Sequence, residues 1–306
     1  MVAGAAPLVV IAGATGVGKT ATAVALARRL PIQVVSADSR QVYREMDAAT
    51  GKPTAEERAA VPHDLIDIVD PDDRYNAARF RADALRAVES ARAQGRLPVV
   101  VGGTGLYIRA LLRGLDPAPP ADPVFRAELA ALAARQGRQV LHERLRREVP
   151  SVAARLHPND SVRIIRALER GRAGRTEQRA WHDAAPGAPL LYLGLTMDRE
   201  PLVARLRARC AAMVAAGLAA EVEQLLQRGY DESLPAMHGI GYRDFVRVVR
   251  GRTSEEDALR TMQRDTVRYA KRQMTWFRRE PDIEWIDIER EGGPERVAAF
   301  VEGCLG

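Results

Sequence analysis

The chain has 306 residues, 46% of them hydrophobic and 28% charged, the balance of a soluble globular protein with one large domain or two modest ones. Its two cysteines, Cys210 and Cys304, stand far apart with no histidine at ligand spacing, so neither a disulfide framework nor a zinc site is expected and a cytoplasmic setting is. It has no run of 18 apolar residues and no basic, apolar leader, which argues against a membrane span and a signal peptide.

In chain order, residues 8–12 form a short apolar run rich in β-branched side chains, the pattern of a buried strand. Gly13, Ala14, Thr15, Gly16, Val17, Gly18, Lys19 and Thr20 follow and satisfy G-x-x-x-x-G-K-[ST] at every constrained position. Residues 20–29 then carry helical spacing. A strand, a glycine loop and a helix start aim backbone N–H groups at a polyphosphate, as in ATP-binding and other nucleotide-binding loops. Lys19 is placed to reach the terminal phosphates, and the Thr20 hydroxyl to ligate Mg²⁺.

Residues 32–36 read as a second strand ending at Asp38. Residues 66–70 are a candidate short strand, 76–94 a helix, and 99–101 a buried strand ending in Gly102-Gly103-Thr104-Gly105. Alternating strands and helices imply a parallel sheet covered on both faces, with ligands at the carboxyl ends of its strands. Residues 13–20, Asp38 and 102–105 all fall at such ends. Asp38 is a candidate general base, Mg²⁺ ligand or N-cap; the glycines around Thr104 allow either a ligand's close approach or a tight turn. No apolar strand clearly ends in the aspartate of a motor-type ATPase, which favours a small-molecule kinase or transferase.

A Pro-rich linker at 116–123 leads into 124–180, which reads as wholly helical with Asn159 or Asp160 as one N-cap. A second breaker cluster at 186–189 precedes a strand at 190–195. Helices at 200–228, 240–250 and 254–279 follow, then a last strand at 283–288. The fold class expected is therefore α/β, a P-loop NTPase-like parallel sheet flanked by helices with an all-helical insertion. Its core is 1–115 and 188–306, and the insertion 116–187.

Two basic stretches break the charge balance. Residues 138–179 and 241–279 each hold eleven Lys and Arg against five Asp and Glu, whereas the whole chain is only +6. They suit an extended polyanion, or are solvated helix faces. Lys271, Arg272 and Arg278 interleave with Trp276 and Phe277, a mixture fit for phosphate contact and base stacking, or for an amphipathic helix packing its aromatics inward.

Five segments carry a resemblance: 13–20, Ser-Ala-Asp-Ser-Arg-Gln-Val-Tyr at 36–43, Val-Gly-Gly-Thr-Gly-Leu-Tyr at 101–107, Gly-Ile-Gly-Tyr at 239–242 and Lys-Arg-Gln-Met-Thr-Trp at 271–276. In this order they resemble the tRNA isopentenyltransferase family, the bacterial tRNA dimethylallyltransferases, from about residue 8 to 287. No zinc-finger extension of the kind some eukaryotic members carry is seen.

The resemblance implies transfer of a dimethylallyl group from dimethylallyl diphosphate to N6 of the adenosine 3′ of the anticodon, releasing pyrophosphate. It implies Asp38 as general base, Thr104 near the reacting centre, and Arg209, in preference to Arg205, on the diphosphate. The phosphate loop and Mg²⁺ at Thr20 would steady the leaving group. The tRNA would be held by Asp38, Ser39, Arg40 and Gln41, by Arg163 and Arg166 in a helical arm on the anticodon stem-loop, by His238, Gly239, Gly241, Tyr242 and Arg243, and by Lys271, Arg272, Gln273 and Arg278. A monomer with no membrane contact is expected.

Overall fold

The computed structural model describes residues 7–115, 119, 121–174 and 190–305. The chain divides into two compact units, residues 1–113 with 184–306, and residues 114–183.

The first unit runs β1 (Leu8–Gly13), α1 (Lys19–Ala27), β2 (Ile32–Ser36), α2 (Ala55–Ala60), β3 (His63–Asp64), α3 (Ala77–Ala93), β4 (Leu97–Gly102) and α4 (Gly105–Arg113). The second unit holds α5 (Pro123–Gln136), α6 (Gln139–Glu148), α7 (Pro150–Ala153) and α8 (Ser161–Arg172). The first unit then resumes with β5 (Leu190–Thr196), α9 (Arg199–Ala215), α10 (Leu218–Gln227), α11 (Tyr242–Val249), α12 (Glu255–Phe277), β6 (Glu284–Asp287) and α13 (Pro294–Leu305).

The six strands form one parallel sheet in the order β3-β2-β4-β1-β5-β6. Strand side chains alternate between faces, and both faces are apolar because both are covered. Val9, Ile11, Val99, Val101 and Leu195 pack with Leu26 of α1 and Val297 and Val301 of α13. Val10, Val35 and Val100 point the other way, onto Phe80 and Val88 of α3, Ile108 and Leu111 of α4, and Phe277 of α12. A third cluster joins Val42, Tyr43 and Met46 to Leu218, Tyr242, Phe245 and Met262. The helical unit has its own core, with Phe125, Leu129, Leu141, Leu145, Ile164 and Leu168 fully buried. This is the α/β architecture expected, a parallel sheet flanked by helices.

Some elements differ from their sequence pattern. Residues 66–70 are not a strand: β3 is two residues earlier, and Val69 makes only an isolated bridge to Tyr43. The reason is local, since Leu65 and Asp67 sit at φ of 63° and 57°, which breaks extended backbone. Lys52 ion-pairs with Asp67 there. The helix expected over 200–228 is two, parted at Gly217 with φ of 100°. Helices α2, α4 and α13 had not been assigned, although α2 starts with a legible capping box, Thr54 with Glu57. The helical stretch 124–180 is four helices to Arg172, and residues 175–180 lie outside the described ones. Asp160 is the N-cap of α8, accepting from the Arg163 N–H at 3.2 Å.

Candidate active site

Strand order assembles the site. With β2 beside β4 and β4 beside β1, the loops leaving their carboxyl ends, 37–41, 102–104 and 13–18, become neighbours. The first two are laced together. Ala37 N donates to Val101 O at 2.8 Å, Thr104 N to Ala37 O at 3.2 Å, and Ser39 N to the Thr104 hydroxyl at 3.1 Å. A Cβ on Gly102 would lie 2.2 Å from Ala37 O, so only glycine lets the loops close this far.

On the phosphate-loop side, Gly18 caps α1 in the left-handed region at φ of 109°. No side chain caps this helix, and no acidic residue occupies its first turn. Its first N–H groups and positive dipole end therefore remain available to an anion. Lys19 folds back across the loop, donating to Gly13 O at 3.0 Å and Ala14 O at 2.7 Å. Burial lowers its pKa to about 8; the Asp38 carboxylate opposes that fall and the Arg209 guanidinium adds to it. Lys19, Asp38 and Arg209 thus share one electrostatic environment.

Asp38 is not a helix cap, since no helix follows it. Its Oδ1 instead accepts from Arg40 N at 2.8 Å and Gln41 N at 3.4 Å, an Asx-type turn that orients the carboxylate. Among the described residues, no hydrogen bond engages Oδ2. Two tyrosines to which sequence reasoning gave no role, Tyr107 and Tyr269, feel the Asp38 charge, and Tyr43 in turn acts on Tyr107. Burial pushes Tyr269 up to about 12, with the Asp38 charge adding and Arg40, a hydrogen bond with Thr104, and Arg272 opposing. Tyr107 is also raised, by burial first and then by Tyr43 and Asp38. Burial raises Tyr43 as well. Tyr43 and Tyr107 end the motifs at 36–43 and 101–107. Tyr269 could have been found from its place one turn before Gln273 on the inward stripe of α12.

Arg205 and Arg209 both approach the loop from α9. The exposed Arg205 donates to Gly16 O at 3.3 Å. Half-buried Arg209 donates to Gly51 O at 3.3 Å, and it is this one whose charge reaches Lys19. Gly51 O also accepts from Gln41 Nε2 at 2.9 Å, and Gln41 Oε1 accepts from the Ser36 hydroxyl at 2.8 Å. Gly51, at φ of 64°, has no room for a Cβ beside the Arg209 guanidinium. The carboxylate loop and Arg209 are therefore held through one carbonyl.

The residues expected to touch RNA separate into two groups. His238, Arg243, Lys271, Arg272 and Arg278 are exposed, and Ser39, Arg40 and Gln41 are half-buried at the site. Arg40 donates to Pro235 O at 2.8 Å, Arg243 pairs with Asp265, and Arg272 lies 5.7 Å from the Tyr269 ring centroid. Gly239, Gly241, Tyr242 and Gln273 are buried, so their side chains or Cα atoms are turned to the interior rather than to the surface. Tyr242 donates to Glu221 from the core, and Gly241 N to Asp244.

In the helical unit Arg163 is exposed and 3.3 Å from Asp160. Arg166 turns to its own unit, pairing with Glu169 at 2.9 Å and donating to Pro119 O at 2.8 Å. Glu169 is only 4% exposed. Burial would raise its pKa, but Arg126, Arg166 and the Asp122 N–H together pull it down to about 2. Arg166 is thus a member of the arm's internal ion network.

The chain also matches known proteins along most of its length. A family described as IPP transferase matches residues 41–280, and one described as isopentenyl transferase matches 6–63. A tRNA dimethylallyltransferase of Thermomicrobium roseum is 47% identical over 98% of this chain and 92% of its own. One from Syntrophotalea carbinolica is 50% identical over 92% and 91%. The crystal structure of the full-length tRNA isopentenylpyrophosphate transferase of Bacillus halodurans superposes with a TM-score of 0.72 at 39% identity, over 98% of this chain and 96% of that one. A eukaryotic dimethylallyltransferase acting on tRNA gives 0.75 at 28% identity, over 92% and 74%. With its parallel sheet, its phosphate loop and these relatives, the chain belongs to the IPP transferase family.

Proposed function

We propose that this enzyme transfers the dimethylallyl group of dimethylallyl diphosphate to N6 of the adenosine 3′ of the anticodon in tRNA, with release of pyrophosphate. The observation that carries the reading is the meeting of Lys19 and Asp38 at one sheet edge, a phosphate cradle beside a carboxylate with an open oxygen.

In this reading the donor's diphosphate lies on the N–H groups at the start of α1, with Lys19 and Arg209 supplying positive charge. The C1–O bond of the donor breaks as the N6–C1 bond forms, and the charge that develops on the leaving oxygen is stabilised by groups already in place. N6 is a weak nucleophile because its lone pair is delocalised into the ring. Asp38 Oδ2 accepts the N6 proton and holds the amine against the electrophilic carbon. Thr104, whose hydroxyl accepts from Ser39 N, offers that hydroxyl beside the same centre. The adenine must leave its stack to reach this edge.

A magnesium ion fits this donor set in one way. The described residues contain no group of three or more His, Cys, Asp or Glu able to hold a metal. The Thr20 hydroxyl would be its protein ligand, the rest coming from the diphosphate and water, the usual habit of Mg²⁺. When bound it supplies neutralisation of the diphosphate charge. Exposed arginines of the helical unit, Arg163 foremost, are assigned to the anticodon stem-loop. The protein is read as a cytoplasmic monomer; no described helix is long and apolar enough to cross a membrane.

Incubating the protein with tRNA and dimethylallyl diphosphate, then analysing nucleosides by mass spectrometry, tests the reading. A 68 Da gain on one adenosine is expected, the mass of a C5H8 unit. ATP-dependent labelling of a small metabolite with unmodified tRNA would replace it with a kinase.

A further inference from the structure

Among the described residues, Gln273 is the buried amide that touches both the phosphate loop and the loop carrying Thr104. It lies on α12 and is 5% exposed. Its Oε1 accepts from the Thr15 backbone N–H at 2.9 Å, in the phosphate loop. Its Nε2 donates to Gly103 O at 2.9 Å, in the loop that carries Thr104. The orientation of the amide is dictated by its partners, because an N–H requires an acceptor and a carbonyl a donor. The fit is also tight: a Cβ on Gly103 would lie 2.2 Å from Nε2.

The same face of α12 repeats the pattern. One turn earlier Tyr269 stands within reach of the Asp38 charge, and one turn later Trp276 packs where a Cβ on Gly105 would stand. Arg109 stacks 4.2 Å from the centroid of Trp276 and pairs with the buried Glu280. Positions 269, 273 and 276 form an inward stripe on α12, while Lys271, Arg272 and, just past its end, Arg278 face solvent.

We propose that Gln273 is a positioning residue that sets the separation between the donor cradle and the acceptor loop. It fixes the Thr15 N–H at the apex of the phosphate loop and the Gly103 carbonyl beside Thr104. Carbon and nitrogen must meet at reacting distance, so this crosslink sets both donor affinity and turnover without touching RNA. The inference rests on the prenyl-transfer reading for the identity of the substrates. The loop-to-loop geometry stands apart from it.

The test uses the full chain with Gln273→Met, which removes both hydrogen bonds at similar volume, and Gln273→Glu, which keeps an acceptor for Thr15 but loses the donor to Gly103. Pyrophosphate with Mg²⁺ is titrated by calorimetry, tRNA by filter binding, and turnover by initial rates. The Met variant is expected to bind pyrophosphate about tenfold more weakly and tRNA within about twofold of the parent, with KM for the donor rising and kcat falling. In the Glu variant the deficit relative to the parent narrows as pH falls, because a protonated carboxyl can donate to Gly103 O again. A merely structural role lowers the active fraction and leaves both affinities and KM unchanged, and that result overturns the proposal. Weaker tRNA binding with pyrophosphate binding intact overturns it too, by making Gln273 an RNA contact. A parent protein that binds pyrophosphate but never prenylates tRNA sinks the reaction while the pyrophosphate comparison still decides the role of Gln273.

Discussion

Lys19 and Asp38 share one electrostatic environment: burial lowers the Lys19 pKa, the Asp38 carboxylate opposes that fall, and the outcome is about 8. The folded value lies below the ordinary 10.5 of a lysine, so the free protein loses the Lys19 proton as pH rises through about 8. A bound diphosphate favours the charged form and restores that proton.

Pyrophosphate affinity, taken relative to Lys19→Arg to cancel the ligand's own ionisation, is therefore expected to hold below pH ~8 and to fall above it. Binding near pH 9 should take up a proton, read by calorimetry in buffers of different ionisation enthalpy. A ratio that stays flat between pH 7 and 10 contradicts a buried Lys19 in the cradle.

Asp38→Asn keeps an oxygen for the Arg40 and Gln41 N–H groups and removes the basic one. Turnover should drop by about 10²- to 10⁴-fold, the usual worth of a general base, with tRNA affinity unchanged. Retained turnover at saturating substrates removes Asp38 from proton transfer.

Arg163 and Arg166 lie one helical turn apart yet should behave oppositely. Arg163→Ala, like Arg272→Ala, is expected to weaken tRNA binding evenly and reduce the slope of log affinity against log salt by about 1. Arg166→Ala should instead cost about 1–3 kcal/mol of stability in thermal unfolding, because Glu169 loses a partner. The reverse pattern refutes the assignment of both.

The Glu169 network makes the helical unit acid-sensitive. Its carboxylate is held at about 2 against an ordinary 4.5, so the stabilisation is complete above about 4.5 and disappears as pH falls toward 2. Amide exchange of α5 and α8 should accelerate over that interval, and Glu169→Gln should flatten the pH dependence at lower overall protection. Equal exchange rates at pH 5 and pH 2.5 contradict the network.

Much was legible in the residues alone. The loop at 13–20 announces itself because few side chains tolerate its backbone, and β-branched runs before it and at 99–101 mark strands buried on both faces. Asp38 and the glycines around Thr104 stand at strand ends, so their place beside the loop was legible, whereas roles for Asp38, Thr104 and Arg209 come from the family resemblance. Residues 66–70 were misread because periodicity does not report the positive φ of Leu65 and Asp67. The inward direction of Gln273 and Tyr242 is not legible in the sequence, because polar side chains in a basic stretch look exposed until their partners are known.

Local pattern in this chain therefore determined most of its strands and helices, and where the glycine loop before α1 stands. Only the tertiary structure decided that β4 lies between β1 and β2, which makes neighbours of Lys19, Asp38 and Thr104, and that Gln273 turns inward between two of their loops. The physical reason is range: propensity and loop chemistry act over a few residues, whereas strand order and the burial of a polar stripe are settled by packing between distant segments, such as Thr15 and Gln273, 258 positions apart.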